Sequence, residues 1–347
     1  MSRILVLLLS CLAPGVLLAN GKCPRLLAAA VSLEMNREIT YSTLFADPLD
    51  PTSMSHRKHQ LYSQIEGSQH QRGSTSDFHF QKFRLALRKG FWQQGVAPLT
   101  NFSVHSGPFD YAADTPITQH VYLNFADASV FAYWSRDLMA QDEVQSAEHP
   151  ALARFQDYMS RYFPGSLELD PRGYEVALFR GVQRFAELDL EALYGKSFAD
   201  ASEDLIAASV HSIDPPTVST ILAMPARAVS PELTGKPYTA QDIEYHFLTS
   251  LNGFRAARIA SQTRELFLHT GNWGGGAFGN HQMLMAALQI MAASTAGVDQ
   301  VVYHVVDTPI DITKLRKLLG ECQQGSLGEA IACLAAKKFR YGRGNGT

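Results

Sequence analysis

Beyond residue 110 the chain alternates short apolar runs with longer stretches of helical period. The runs His120–Phe125, Glu175–Phe179, Asp204–Val210, Glu265–His269 and Gln300–Val306 have the length and composition of strands. Between them, Ser135–Tyr158, Ala240–Ala260 and His281–Ala296 carry apolar residues at helical spacing. That alternation predicts a sheet covered on both faces by helices. The last helix has readable ends: Asn280 stands at the N-cap, Leu284, Leu288 and Met291 form an apolar face, and Gly297 supplies the stop. Residues 215–237, rich in Pro and Ser, read as a long surface connection.

The front of the chain has a different rhythm. From Lys22 to Leu99 it reads mainly helical, broken at Asp47-Pro48 and Asp50-Pro51 and by the polar stretch Gly67–Ser76. We therefore expect a helical N-terminal extension over 20–110 and an α/β domain over 111–347. Ahead of both, Arg3 precedes apolar Ile4–Leu9, and Val16–Ala19 closes the run before polar Asn20. This is the layout of a signal peptide cleaved after Ala19. Ser10, Pro14 and Gly15 interrupt a run already short for a bilayer span, so no stable membrane span is expected once 1–19 is removed. The expected location is secreted, endomembrane or periplasmic; a lipoprotein modified within Leu8-Leu9-Ser10-Cys11 is the minor alternative.

With 347 residues, 46% hydrophobic and 18% charged, the chain can bury a full-sized core. A formal net charge of -3 argues against a dedicated nucleic-acid binder, and no sequence-specific nucleic-acid partner is expected. The basic tail Lys337–Arg343 reads as a solvated terminus. Cys322 and Cys333 are close enough in sequence to pair in an oxidising compartment, although thiols buried on helix faces would look the same; with Cys23 they make no zinc pattern. Asn101-Phe102-Ser103 and Asn345-Gly346-Thr347 match glycosylation acceptors, relevant to a secreted eukaryotic chain.

The candidate chemistry sits in two segments. Thr270-Gly271-Asn272-Trp273-Gly274-Gly275-Gly276-Ala277-Phe278-Gly279-Asn280 links a strand to a helix start, an arrangement whose free amides can cradle phosphate. Earlier, Asn124-Phe125-Ala126-Asp127 leads through Phe131-Ala132-Tyr133-Trp134 to Gln141-Asp142-Glu143. Taken alone, that acidic pair would merely favour a helix N-terminus.

Together the two segments resemble the poly(ADP-ribose) glycohydrolases, whose domain is an elaborated macrodomain. In that family a strand ending Phe-Ala-Asn is followed by three consecutive glycines and then Gln-Glu-Glu; here Gln141-Asp142-Glu143 follows Phe125 at the family spacing. The later family segment, Thr-Gly-Asn-Trp-Gly-Cys-Gly-Ala-Phe-Gly-Gly-Asp, is nearly intact, with Gly275 for the cysteine. Gly181-Val-Gln-Arg184-Phe185 is similar to the family's Gly-x-x-Arg-Phe run, and Tyr194 is the local match for the tyrosine that packs near adenine.

The resemblance implies a macrodomain-like three-layer α/β/α sandwich with a mixed sheet, acting on an ADP-ribose polymer or an ADP-ribosylated substrate. It implies Glu143 as the acid that protonates the departing ribose oxygen and then assists water, Asp142 as its orienting partner, and no cofactor or metal. Asp127, Gln141, Tyr194, Asn272, Gly274, Gly275, Gly276, Ala277 and Phe278 become the expected substrate contacts. His269, His281 and His304, at a strand end, a helix start and another strand, make no convincing metal set.

Two departures bear on activity. Phe131-Ala132-Tyr133 replaces the triple glycine, adding bulk and restricting φ where backbone amides would approach a diphosphate. Asp127 replaces asparagine and, when ionised, accepts but cannot donate hydrogen bonds. Tyr133 and Trp134 could fill the space the glycines left or stack on another ligand. The leading expectation is hydrolysis of the ribose–ribose O-glycosidic bond in poly(ADP-ribose) or a related ADP-ribosyl conjugate. The alternative is an inactive secreted module that binds ADP-ribose or another phosphate ligand, or an interaction protein that kept the fold and lost the pocket.

Overall fold

The computed structural model describes residues 29–67, 77–262, 264–306 and 308–344. The expected signal segment, Cys23 and the Asn345 acceptor lie outside the described residues. Within them one mixed sheet runs in the order β1-β2-β5-β6-β4-β7-β8-β3. Its strands are β1 Ala29–Thr40, β2 Asp77–Leu87, β3 Asn101–Ser106, β4 Thr118–Asn124, β5 Val176–Leu188, β6 Val210–Ala223, β7 Glu265–Thr270 and β8 Gln300–Val305. The half containing β6, β4, β7, β8 and β3 is parallel, whereas β1, β2, β5 and β6 pair antiparallel.

Burial on both faces follows from side-chain alternation. Val176, Leu178 and Leu222 join Val121 and Leu123 in one core, while Ala177, Phe179, Ile221 and Ala223 join Tyr122 in the other. Helices close each face. In chain order they are α1 Tyr41–Leu44, α2 His56–Gly67, α3 Gln141–Glu148, α4 Pro150–Tyr162, α5 Leu190–Leu193, α6 Ser197–Asp200, α7 Glu203–Ala208, α8 Ala240–Ser261, α9 Gln282–Ala296, α10 Ile312–Cys322 and α11 Leu327–Ala336. Residues of α8, α9, α10 and α11 fill the first core; Ala151, Leu152 and Phe155 of α4 fill the second. This is the three-layer α/β/α arrangement expected from the sequence. Among the described residues no helix is long and apolar enough to cross a membrane.

The N-terminal segment corrects the helical reading. Among the described residues between 29 and 106, β1, β2 and β3 join the sheet and α2 is the one long helix. Two features hid the strands. β1 shifts register between Leu33 and Met35, and β2 buries Phe78 and Phe80 in one core but Phe83 and Leu85 in the other, so neither shows clean alternation. Two further readings change. Residues 204–208 are helical because Ser202 caps α7 by accepting from the Leu205 N–H. Residues 215–223 are strand rather than surface connection: Pro215 and Pro216 fall between the paired positions Ser212 and Thr217, where no ladder donor is required.

The basic tail is not free either. Tyr341 N–H donates to the Lys236 carbonyl, Gly342 N–H to the Gly279 carbonyl, and the Tyr341 ring lies 3.7 Å from that of Tyr238. A Cys322–Cys333 disulfide joins α10 to α11.

Candidate functional site

Both motif segments leave the same edge of the sheet. β4 and β7 are parallel neighbours with Tyr122 opposite His269, so the chain exits at Asn124 beside Gly271. A Cβ on Gly271 would lie 2.8 Å from the His304 carbonyl oxygen and 3.4 Å from the Phe125 ring, which explains glycine there.

On the acidic side, Gln141 ties the end of β4 to the start of α3. Its Oε1 accepts from the Phe125 N–H at 2.7 Å and its Nε2 donates to the Leu123 carbonyl at 3.1 Å. Asn124 Nδ2 then donates to Asp142 Oδ1 at 2.9 Å. Glu143, at the third position of α3, accepts from the Ala140 N–H through Oε2 at 3.0 Å. This is half of a capping box, since Ala140 has no side-chain acceptor to complete it. Both carboxyls are buried. Burial, reinforced by the adjacent Glu143, pushes Asp142 well above the ordinary carboxylate range, and burial also raises Glu143.

A cation that the sequence reading missed completes this corner. Lys58 of α2 is fully buried, with Nζ 3.0 Å from Met139 Sδ and 5.2 Å from the centre of the Phe198 ring. Burial lowers its pKa to about 8, against the opposing pull of Glu143, Asp142 and Asp137. Lys58 lies more than eighty positions before the acidic pair, and no local pattern marks it. Tyr194 also reaches this corner: Gly195 N–H donates to the Met139 carbonyl at 2.8 Å, holding the Tyr194–Gly195 turn against the residues that lead into α3.

The family's triple-glycine position forms a turn in which Phe131 takes φ +58, the left-handed region that glycine adopts without cost. The Phe131 ring is fully buried and packs 5.1 Å from Phe179. Trp134 turns into a third core, edge-on to Tyr62 at 5.6 Å, with Nε1 donating to Gln156. Tyr133 stays half-buried with the Arg136 guanidinium 4.7 Å from its ring, and Asp127 is likewise half-buried.

On the glycine side, Gly274, Gly276 and Gly279 take φ of +72, +44 and +73. Gly276–Phe278 forms a single 3-10 turn rather than a direct entry to α9. Amides that the sequence reading left free are engaged: Phe278 N–H donates to Gly275, Asn280 N–H to Gly274, and His281 N–H to the Tyr238 hydroxyl. Gly276 and Ala277 are exposed, and a Cβ on Gly276 would meet open space. Phe278 is half-buried against the first core. Asn280 is not the helix cap; its Nδ2 donates to the Arg227 and Gly274 carbonyls, locking the loop, and His281 takes the cap position without a side-chain bond. Asn272 lies where a Cβ on Gly275 would fall, 2.3 Å from Oδ1, so this chain cannot carry the family's cysteine without moving Asn272. Asn124 Oδ1 and Asn272 Oδ1 are buried acceptors with no partner among the described residues, groups of the kind a ligand hydroxyl satisfies.

The fold and this sheet edge define a macrodomain-class α/β/α protein. Residues 91–310 match the family described as poly(ADP-ribose) glycohydrolase (PARG), macro domain fold, and the chain belongs to that family. Solved structures similar to it include a poly(ADP-ribose) glycohydrolase from Thermomonospora curvata, 17% identical over 88% of this chain and 85% of that one, with a TM-score of 0.40. The same organism's enzyme bound to the inhibitor ADP-HPD is 17% identical over 81% and 98%, TM-score 0.43. The Deinococcus radiodurans enzyme in complex with ADP-ribose is 13% identical over 88% and 95%, TM-score 0.37. No curated protein matches significantly.

Proposed function

We propose that this protein hydrolyses the ribose–ribose O-glycosidic bond of poly(ADP-ribose) or of a related ADP-ribosyl conjugate, with Glu143 as acid and then base. The observation that carries the reading is a buried carboxyl with a raised pKa at the strand edge that also presents the glycine loop. A carboxyl whose pKa burial raises holds its proton more tightly than an exposed one and can donate it to a departing ribose oxygen; the resulting carboxylate then takes a proton from the attacking water. Asp142, fixed by Asn124, holds the start of α3, and Lys58 stabilises the carboxylate formed after transfer. Exposed Gly276 and Ala277 would face the diphosphate, Phe278 and Asn272 the ribose, Tyr194 the adenine, and Asp127 with Gln141 the ribose hydroxyls next to Glu143. We further propose export into an oxidising compartment, as a secreted or lumenal protein, a reading supported by the disulfide.

The test is release of ADP-ribose from defined polymer. Glu143→Gln keeps the shape and removes the titrating proton, and should cost about 10²–10⁴-fold in kcat; unchanged release removes Glu143 from the mechanism. A second reading, a binding module without turnover, is favoured by Phe131 and Tyr133 in place of glycines. It predicts calorimetric heat with ADP-ribose in both the native and Glu143→Gln proteins, weakened by Gly276→Val, with no polymer cleavage.

A further inference from the structure

A second cluster of chemistry-bearing residues lies beside the glycine loop, on the sheet face opposite α8 and α9. His120, His269 and His304 project from β4, β7 and β8, and the segment before β4 brings Asp110 over them. His269 Nδ1 is 3.0 Å from His304 Nε2 and 3.8 Å from Asp110 Oδ1. All three atoms fall within 4.8 Å of one another. First-row metals bind imidazole nitrogen and carboxylate oxygen at about 2.0–2.2 Å, so donor atoms around one ion stand roughly 3–4 Å apart.

The outer contacts bear on which atoms can face an ion, and the Pro108 carbonyl fixes the one on His304. His304 Nδ1 lies 2.8 Å from the Pro108 carbonyl, which can only accept, so that nitrogen carries the hydrogen and the neutral ring turns the lone pair of Nε2 inward. His269 Nε2 lies 2.9 Å from His120 Nδ1; the tautomer that donates there turns the lone pair of His269 Nδ1 inward, toward His304 Nε2. At 3.0 Å those two inward nitrogens are bridged either by the hydrogen of the other His269 tautomer or by a cation, and a bound ion selects the first tautomer. Each ligand is also braced as metal ligands usually are. The Tyr122 ring stacks 4.3 Å from His269, and its hydroxyl donates to Asp110 Oδ1 at 3.4 Å. His269 and His304 are buried, whereas Asp110 is about half exposed and leaves a solvent side for ion entry and an open coordination position.

We propose that Asp110, His269 and His304 form a binding site for a divalent first-row transition ion of the zinc class, with His120, Tyr122 and the Pro108 carbonyl as its outer shell. Two imidazoles and one carboxylate suit a borderline ion, and the set is too poor in oxygen for calcium or magnesium. The site is independent of Glu143 and of hydrolysis. His281, weighed with the other two histidines from sequence alone, packs on Phe339 at the start of α9 and is no part of it. Asp110 and His120 were the members that spacing could not reveal.

The experiment is titration of metal-stripped, full-length protein with Zn²⁺ by calorimetry and with Co²⁺ by visible absorption. We expect one tight site per chain, a cobalt d–d spectrum typical of a low-coordinate nitrogen and oxygen environment, and a rise in Tm on zinc addition. Affinity should fall at least tenfold in Asp110→Asn, whose half-exposed position spares the fold, and at least 100-fold in His269→Gln with His304→Gln. His281→Gln and His79→Gln should bind as the native protein does; His79 controls for the separate surface group of Glu38, Asp77 and His79. Absence of stoichiometric binding in the native protein would overturn the proposal. So would equal affinity in Asp110→Asn and in the double histidine variant.

Discussion

After β7 the chain turns through Gly274, Gly276 and Gly279 at φ +72, +44 and +73; after β4 it turns through Phe131 at φ +58. The first loop uses residues without a Cβ and leaves Gly276 and Ala277 exposed, while its buried members are packed tightly. The second accepts a left-handed aromatic residue and offsets the cost by burying the ring in the second core. On the acidic side a left-handed position is thus taken by an aromatic residue, whereas on the glycine side the left-handed positions are glycines. An exposed glycine turn and a filled core stand on adjacent strand exits.

The largest test of this contrast is at Phe131. Removing the ring by Phe131→Ala should destabilise the protein by about 3–5 kcal/mol, the usual range for a fully buried aromatic. Phe131→Gly should cost about 1 kcal/mol less than Phe131→Ala, because only glycine occupies the left-handed region freely. In ordinary strands and helices glycine is the worse replacement, so the reversed order in guanidinium denaturation is the signature. The normal order would mean that φ +58 carries no strain.

A smaller effect is expected on the glycine side. A methyl on Gly274 would sit 2.9 Å from Met285 Cε and 3.0 Å from Ala226 Cβ, in addition to its left-handed φ. Gly274→Ala should therefore lose about 2–3 kcal/mol from crowding and backbone strain together. Gly276→Ala pays the backbone term alone, about 1 kcal/mol, because nothing lies near its Cβ. Equal losses in urea melts would show that the loop is not split into a packed part and an open part.

The parts of this architecture that the sequence disclosed are those fixed by local rules. Repeated glycines advertise positive φ, and Gly297, at φ +78, ends α9 where it was expected to. The spacing from Phe125 to Gln141 identified the joint between β4 and α3 because Gln141 bonds directly to the backbone at both ends of that joint. β1 and β2 were obscured by a bulge and by burial on both faces. Lys58, Asp110 and His120 could not be seen, since each acquires its neighbours only when distant elements pack. The same holds for the basic tail, whose pairing with Lys236 and Gly279 depends on tertiary contact rather than on charge.

Lys58 sharpens the comparison through pH. Its folded pKa of about 8 lies below the unfolded 10.5, so between these values the unfolded chain binds more protons and stability rises with pH. Below about pH 8 the lysine is charged in both states and the burial penalty is present in full; 10.5 minus 8 corresponds to an upper limit of about 3 kcal/mol. Native protein should thus gain up to that amount between pH 8 and 10.5, and Lys58→Met should remove the gain. The variant also withdraws the cation that favours the Glu143 carboxylate, so the basic limb of the pH–kcat profile should move upward. A structural lysine alone would alter stability and leave that limb in place.

The smallest expected change is at Tyr133, and it separates filling from binding on the acidic side. Its half-buried ring holds the Arg136 guanidinium at 4.7 Å, a contact worth about 0.5–1 kcal/mol at an exposed site. Tyr133→Ala should accordingly shift stability by no more than about 1 kcal/mol, unlike fully buried Phe131, because little core volume is lost. If Tyr133 only occupies space vacated by glycine, calorimetric affinity for ADP-ribose should stay the same or improve as that wall opens. If its ring stacks on the ligand, affinity should fall by about tenfold, the equivalent of losing one aromatic contact of roughly 1.4 kcal/mol. The sign of that shift, measured against Phe131→Ala as the purely structural reference, decides whether the altered loop is a plug or a rebuilt part of the binding surface.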